Sequence, residues 1–364
     1  MGEGSIISKE LSFVRKDYRL LSNKLPITSF IFILESLDSV SLPFYTGSTF
    51  RGAFGISLKR VTCTLSRVNS FNRNSSMKDT DNPVNNDCFS CMFKLSCPYI
   101  RIFEGHADEE LSSLKTIQTT IHPYILEPPF NSDSHIYSKG EEIEVGLNLV
   151  GECINDLPYF IAAFSEFERV GIGKSRGHLS LKSVLLKTAN KTKPTIVYER
   201  NTDLLKDYKS KKMFNFNRYL VEKILEDQFL SVKFLTPVRI VHNSNLFVDE
   251  KSFTFFILLK HLLRRINLLS YSYSNDKKLL QERGFNIKQL LERSKAINTK
   301  QNNLYWFDWS RYSNRQNQRM KLGGFMGDIT FEGDFSNFIP FLLFGELTHF
   351  GKNSTFGLGK YKIY

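Results

Sequence analysis

Acidic residues are scarce relative to basic ones: 37 Asp and Glu stand against 49 Lys and Arg, a formal charge of +12 over 364 residues. That balance leaves nucleic acid, an anionic membrane surface or an acidic protein as partner classes, beside a merely solvated basic surface. Long apolar runs are missing. The longest candidate, Phe338 to Phe344, falls well short of the ~18–20 residues a membrane helix needs. The first residues, Met1 to Ser5, have no basic segment leading into an apolar core, so no secretory signal is expected. Cysteine is rare, and its count of five is odd, which argues against a disulfide framework. These absences point to a soluble cytoplasmic protein with no membrane partner. Disorder is also excluded, because 41% hydrophobic and 24% charged residues is an ordinary globular composition. The length accommodates two domains of roughly 150–200 residues, each with its own core.

What is present repeats itself. Gly171-Ile-Gly-Lys-Ser-Arg-Gly177 runs into the alternating segment His178–Val184, and Gly351-Lys-Asn-Ser-Thr-Phe-Gly-Leu-Gly359 runs into Lys360–Tyr364. Two glycine-rich basic turns, each closing one half of the chain, are most simply a duplicated unit. The second half reads as a strand from Phe229 to Thr236 and a helix from Lys251 to Leu269. A strand from Asn303 to Tyr312 then turns at Gly323-Gly324 into Phe325–Glu332, followed by a helix from Ser336 to His349 and a strand from Phe356. The first half gives the same order: strand Ile27–Leu37, helix Gly47–Leu65, strands Thr116–Ile125 and Glu141–Val150, helix Asn155–Arg169 and strand His178–Leu186. The fold expected is α+β, with tandem ferredoxin-like (RRM-like, βαββαβ) domains. Residues 1–190 form the first, with a Cys-rich insertion at about 66–110; 191–228 form a linker, with a helix around Leu220 to Asp227, and 229–364 the second.

Positive charge collects at the glycine turns. Arg169 to Lys182 carries four bases and no acid, and His349 to Tyr364 carries three lysines and no acid. Glycine lets backbone N–H groups approach phosphates, while Lys174, Arg176 and Lys360 supply counter-charge. Between Lys300 and Leu322, five bases face Asp308 alone, interleaved with Tyr305, Trp306, Phe307, Trp309 and Tyr312. Such aromatics stack on unpaired bases for ~1–3 kcal/mol each, or else fill a core on one side of a strand. Some of Trp306, Phe307 and Trp309 are expected to be core. Arg311, Arg315 and Arg319 are expected to face solvent or RNA.

Four of the five cysteines share one region. Cys88-x2-Cys91-x5-Cys97, with Cys63 twenty-five positions before Cys88, offers four thiolates to an insertion poor in apolar residues. Four soft sulfur ligands suit a tetrahedral structural zinc with no open position, and spacing alone also admits an iron–sulfur cluster. Cys153 reads as a lone core cysteine.

Four segments carry a family resemblance: Tyr45-Thr-Gly-Ser-Thr-Phe-Arg-Gly-Ala-Phe-Gly55, Thr236-Pro-Val-Arg-Ile240, Arg311-Tyr-Ser-Asn-Arg-Gln316, and His349-Phe-Gly-Lys-Asn-Ser-Thr-Phe-Gly-Leu-Gly-Lys-Tyr361. Together they resemble the CRISPR-associated repeat-RNA endoribonucleases of the RAMP superfamily. The resemblance implies cleavage of CRISPR precursor transcripts within their repeats, without a catalytic metal. The RNA partner would be a single-stranded or hairpin repeat, and effector-complex subunits are possible further partners. A non-catalytic RNA-holding subunit of such a complex is the alternative. The implied reaction needs a base, an acid and cations. Among seven histidines, His349 is the candidate, between an apolar helix and a basic loop with Lys352 three residues on. A histidine satisfying the last helix carbonyls is the other reading. Family members carry a histidine near the first helix of the first domain. Here none precedes His106, and Tyr45 and Arg51, with Lys59 and Arg60, occupy that region.

Overall fold

The computed structural model describes residues 3–63, 88–105, 121–131, 133–188, 193–209, 216–242, 245–274, 279–282, 285–313 and 318–364. Contacts divide the chain into two units, one of residues 28–187 and 191–211, the other of 1–27, 188–190 and 212–364. The opening helix α1 (Glu3–Lys24) therefore belongs with the second half of the chain. Its Leu11, Val14, Tyr18 and Leu21 recur at three- and four-residue steps and are buried, the pattern of an amphipathic helix. The expected domain of residues 1–190 contained no such helix, because its first element was placed at Ile27.

The first unit begins with β1 (Ile27–Ser36), β2 (Val40–Leu42), α2 (Gly47–Thr62), β3 (Tyr124–Glu127), β4 (His135–Tyr137) and β5 (Glu142–Val150). Helices α3 (Leu157–Ser165) and α4 (Phe167–Val170) follow, then β6 (Leu179–Leu186), β7 (Thr195–Glu199) and β8 (Leu204–Leu205). The main sheet runs β3-β5-β1-β6-β7-β8, and β2 pairs with β4 apart from it. Its first four strands have the ferredoxin-like order, with β1 central and nearly all of its side chains buried. Phe50, Phe54 and Leu58 give α2 a buried face, on which Phe54 stacks against Phe160 of α3 at 4.9 Å. The segment expected to be a linker extends this sheet instead, since β7 pairs with β6 and β8 with β7.

The second unit continues with α5 (Arg218–Asp227), β9 (Phe229–Val238), β10 (Ile240–His242), β11 (Asn245–Phe247), α6 (Phe255–Tyr273), α7 (Leu279–Glu282) and α8 (Ile287–Ser294). Then come β12 (Asn298–Asn302), β13 (Tyr305–Phe307), β14 (Ser310–Ser313), β15 (Gln318–Lys321), β16 (Gly324–Glu332), α9 (Ile339–Thr348) and β17 (Tyr361–Ile363). The sheet β12-β16-β9-β17 is antiparallel and repeats the order of the first unit. The tandem ferredoxin-like fold is thus established in both units. Thr254 caps α6 by accepting from the Ile257 N–H, and Pro340 opens α9, where its missing N–H costs nothing. Phe255 meets Phe331, Phe335 and Phe338 edge-on at 5.1–5.6 Å, joining α6 to the sheet and to the approach to α9.

The strand expected from Asn303 to Tyr312 is broken. Tyr305–Phe307 pairs with β16, whereas Ser310–Ser313 leaves to form a separate hairpin with Gln318–Lys321. Gly323-Gly324 is therefore the re-entry into β16, not the hairpin turn. A Cβ on Gly323 would strike the Trp306 ring, and one on Gly324 the Val238 backbone.

Candidate nucleic-acid interface

The second-domain glycine loop is locked onto the end of β9. The Lys352 N–H donates to the Arg239 carbonyl at 2.8 Å and the Gly359 N–H to the Pro237 carbonyl at 3.1 Å. The Thr236 hydroxyl donates to the Gly357 carbonyl at 2.8 Å and accepts from the Lys360 N–H at 2.9 Å. Two segments distant in sequence, Thr236–Ile240 and His349–Tyr361, are therefore one structural device. Gly351, Gly357 and Gly359 all hold positive φ, and a Cβ on Gly359 would collide with the Phe350 carbonyl. Lys352 stands exposed at the loop surface and Lys360 is half-buried. Arg239, absent from the residues selected from sequence, donates to the Gly323 carbonyl at 2.9 Å. Burial pushes its pKa down, with Asp308 opposing.

His349 is not placed to exchange protons with a bound substrate. It is fully buried, adopts φ 53° just after α9, and its Nδ1 lies 3.3 Å from the Leu358 carbonyl. Its ring meets a carbonyl of the following loop, not one of the last carbonyls of α9. Arg265 lies behind it, with Nε 3.4 Å from the Thr348 carbonyl, and burial brings its pKa down to about 10. His242 and His261 pack at 5.8 Å in the same unit. Burial first, then His242, Lys260 and Arg264, lowers His261 to about 4, so its ring is neutral at physiological pH.

In the first unit, Ile172 bridges Gly177, and the loop between them presents exposed Lys174, Ser175 and Arg176. Gly171 has φ +72°, and a Cβ there would meet the Arg176 carbonyl. At the loop's exit, His178 Nδ1 lies 2.6 Å from Asp38, whose own pKa is lowered by hydrogen bonds from the His178 side chain and backbone. On the second-unit hairpin, the backbone of Arg311 pairs with Met320 and that of Tyr312 with Arg319. Arg315 lies outside the described residues. Trp309 is buried, Trp306 and Phe307 are half-buried, and Tyr305 is 52% exposed, leaving Tyr305 as the described aromatic open to a base.

The candidates near the first helix have structural partners. Tyr45 is 4% exposed and bridges Phe130. The Arg51 guanidinium lies 4.3 Å from the Phe103 ring centre, and its Nη2 is 3.3 Å from His122 Nε2. The tertiary fold brings this histidine beside α2, and no sequence spacing signalled it. Arg51, Gly55, Lys59 and Cys63 fall four residues apart and make one stripe. Phe103 covers Arg51 and Gly55, and Tyr99 lies 5.5 Å under the Lys59 ammonium. Much of what reads as catalytic charge on α2 is a docking stripe for residues 88–105.

Cys63, Cys88, Cys91 and Cys97 are half-buried, and Cys153 is buried in the core. Among the described residues, no three His, Cys, Asp or Glu side chains are already set together for a metal ion. The remainder of the expected insertion, 66–87 and 106–110, lies outside the described residues. No helix among the described residues is long and apolar enough to cross a membrane.

The fold and the docked basic loop define a tandem ferredoxin-like protein closed by a glycine-rich cationic turn. Residues 25–210, just over half of the chain, match the N-terminal domain family AF_1859_N, and residues 232–361 match the CRISPR-associated endoribonuclease Cas6. The chain belongs to the family whose N-terminal domain AF_1859_N describes, and its second half is similar to the CRISPR-associated endoribonuclease Cas6. No curated protein sequence matches it. Among solved structures, a partial Cas6-RT-Cas1–Cas2 complex is 13% identical with TM-score 0.48, covering 93% of this chain and 46% of its own. A second such complex shares 13% identity at TM-score 0.48, and this chain spans 29% of its length. Thermus thermophilus Cas6 is 12% identical with TM-score 0.47, covering 93% of this chain and 99% of its own.

Proposed function

We propose that this protein cleaves CRISPR precursor transcripts within their repeats, in the cytoplasm and without a catalytic metal. The 2′-hydroxyl attacks the adjacent phosphorus and loses its proton as the bond to the 5′-oxygen breaks. That oxygen takes up a proton, leaving a 2′,3′-cyclic phosphate and a 5′-hydroxyl. The observation that carries the reading is the glycine loop docked on Thr236–Arg239 within the Cas6-matching region, because it fixes an exposed lysine on a rigid backbone. A cation held in place lowers the energy of the dianionic phosphorane more than a mobile one, since no reorganisation is needed in the transition state. Lys352 serves this role, and Lys360, Lys174, Arg176 and the 310–321 hairpin neutralise flanking phosphates. Exposed Tyr305 gives an unpaired base a stacking surface. His349 positions the loop and transfers no proton to or from the RNA. The alternative of a purely RNA-holding subunit gains from the engagement of Tyr45, Arg51 and His349 in packing.

One assay tests the reading. Purified protein is incubated with repeat RNA in EDTA and the product ends are analysed. A single cut with cyclic-phosphate and 5′-hydroxyl ends is expected. Tight binding without product would leave the holding subunit, and 3′-hydroxyl ends would overturn the chemistry.

A further inference from the structure

Ser8, Leu11, Ser12, Arg15 and Arg19 share one face of α1, recurring at three- and four-residue steps. At the start of α5, Phe216 and Arg218 supply the opposite wall of a groove of about 490 Å³. That volume falls within the ~300–1,000 Å³ of small-ligand sites. All of the lining residues belong to the second unit, and neither glycine loop nor the 310–321 hairpin contributes one.

The groove combines two kinds of surface. Leu11 is buried and Phe216 is half-buried, its ring 6.3 Å from that of Tyr18, so the floor is apolar and aromatic. Around it Arg15, Arg19 and Arg218 are exposed, and none of the lining residues is acidic. One carboxylate reaches in from α5: Arg218 donates through Nε to Glu222 at 2.7 Å, which steadies the guanidinium while engaging one of its five N–H donors. Three guanidiniums against that single carboxylate leave the hollow cationic, and such a concentration of charge draws an anion. A planar guanidinium grips phosphate through paired N–H groups, and an aromatic ring offers a face to an unpaired base. A carboxylate-rich peptide would use the arginines and leave the aromatic floor idle.

We propose that this groove is a further RNA-binding site, taking one unpaired nucleotide of the transcript in addition to the contacts made by the glycine loops. Arg15 and Arg19 hold successive phosphates, Phe216 stacks on the base, and the Ser8 and Ser12 hydroxyls meet the sugar. Arg218 faces the strand from the opposite wall. The site rests on the reading of the protein as one that processes RNA, and adds to it an anchor that performs no chemistry.

The test measures repeat-RNA affinity of the full-length protein over a salt series. The double variant Arg15→Gln/Arg19→Gln, altered only at exposed positions, should bind about tenfold more weakly at ~0.1 M salt. Its salt slope should be shallower by roughly 1.4, at ~0.7 for each lost single-strand phosphate contact. Phe216→Ala should weaken binding about fivefold or more with the slope unchanged, because stacking releases no counterions. Lys9→Gln/Lys16→Gln removes the same charge from α1 outside the groove and should cost no more than about twofold. Equal losses in the two double variants would overturn the site, as would an unchanged slope in the arginine variant. So would an arginine variant that loses polyglutamate and keeps RNA. Each of these leaves the processing reading standing, whereas wild-type protein that binds no RNA would overturn both.

Discussion

The two glycine loops share composition and place in their domains, yet the structure uses them differently. The loop at residues 171–177 closes on itself through the Ile172–Gly177 bridge and packs against β2 at its base, with Gly173 near the Ser41 carbonyl and Gly177 against Val40, while its tip stays exposed. The loop at 349–361 is threaded against β9 by hydrogen bonds to Leu235, Thr236, Pro237 and Arg239, with buried His349 behind it. One presents cations on a surface turn, and the other presents them on a wedge driven into the sheet. A repeated sequence pattern therefore fixes a local turn without fixing how deeply it is embedded. Depth of embedding is what separates a phosphate contact from a rigid electrostatic device.

The comparison breaks most readily at the glycines. Gly359→Ala places a Cβ against the Phe350 carbonyl at φ +74° and should destabilise the protein by roughly 3 kcal/mol in denaturant unfolding. Gly173→Ala, with a 3.0 Å approach to the Ser41 carbonyl, should cost about 1 kcal/mol. Equal effects would show the loops to be equivalent after all.

Acid should also separate the domains. His261 in the second unit is held neutral down to about pH 4, against an ordinary value of 6.5. Between those values the unfolded chain binds more protons than the folded one, so stability rises with pH. It is complete above about pH 6.5 and falls as the pH drops toward 4, by up to roughly 3 kcal/mol from this group. His261→Gln should flatten that acid limb in a pH series of unfolding midpoints. An unchanged limb would assign it to other groups.

The last contrast concerns RNA. Lys174→Ala should weaken repeat binding by about 1 kcal/mol and lower the salt slope by about one, with single-turnover cleavage at saturating RNA unchanged. Lys352→Ala should reduce that cleavage rate about a hundredfold or more while affinity changes several-fold. If the two variants behaved alike, Lys352 would be one more phosphate contact.

Much of the architecture was legible. Alternating runs such as Phe229–Thr236 and the spacing of Phe255, Leu258, Leu262 and Ile266 report burial directly, because period 2 and period 3.6 are what a strand and a helix bury. The break at residues 308–309 was not legible, since Trp309 continues an aromatic run while the backbone leaves the sheet. Helix α1 was missed although Leu11, Val14, Tyr18 and Leu21 follow a helical period, and its allegiance was not legible, because packing on α9 and α5 is a long-range choice. The site divides the same way. Exposed Lys174 and Lys352 sit on the two glycine turns that the sequence marks.

The burial of His349, the pairing of Arg51 with His122 and the docking of Thr236 on Gly357 depend on partners nine to 121 residues away. By itself the sequence determined two ferredoxin-like units, a basic character and the places where glycine is indispensable, all of which are set by local periodicity and backbone sterics. Only the tertiary structure decided which cations remain in water and which side chains are locked into packing. Burial is a property of the assembled fold, and no residue type or spacing encodes it alone.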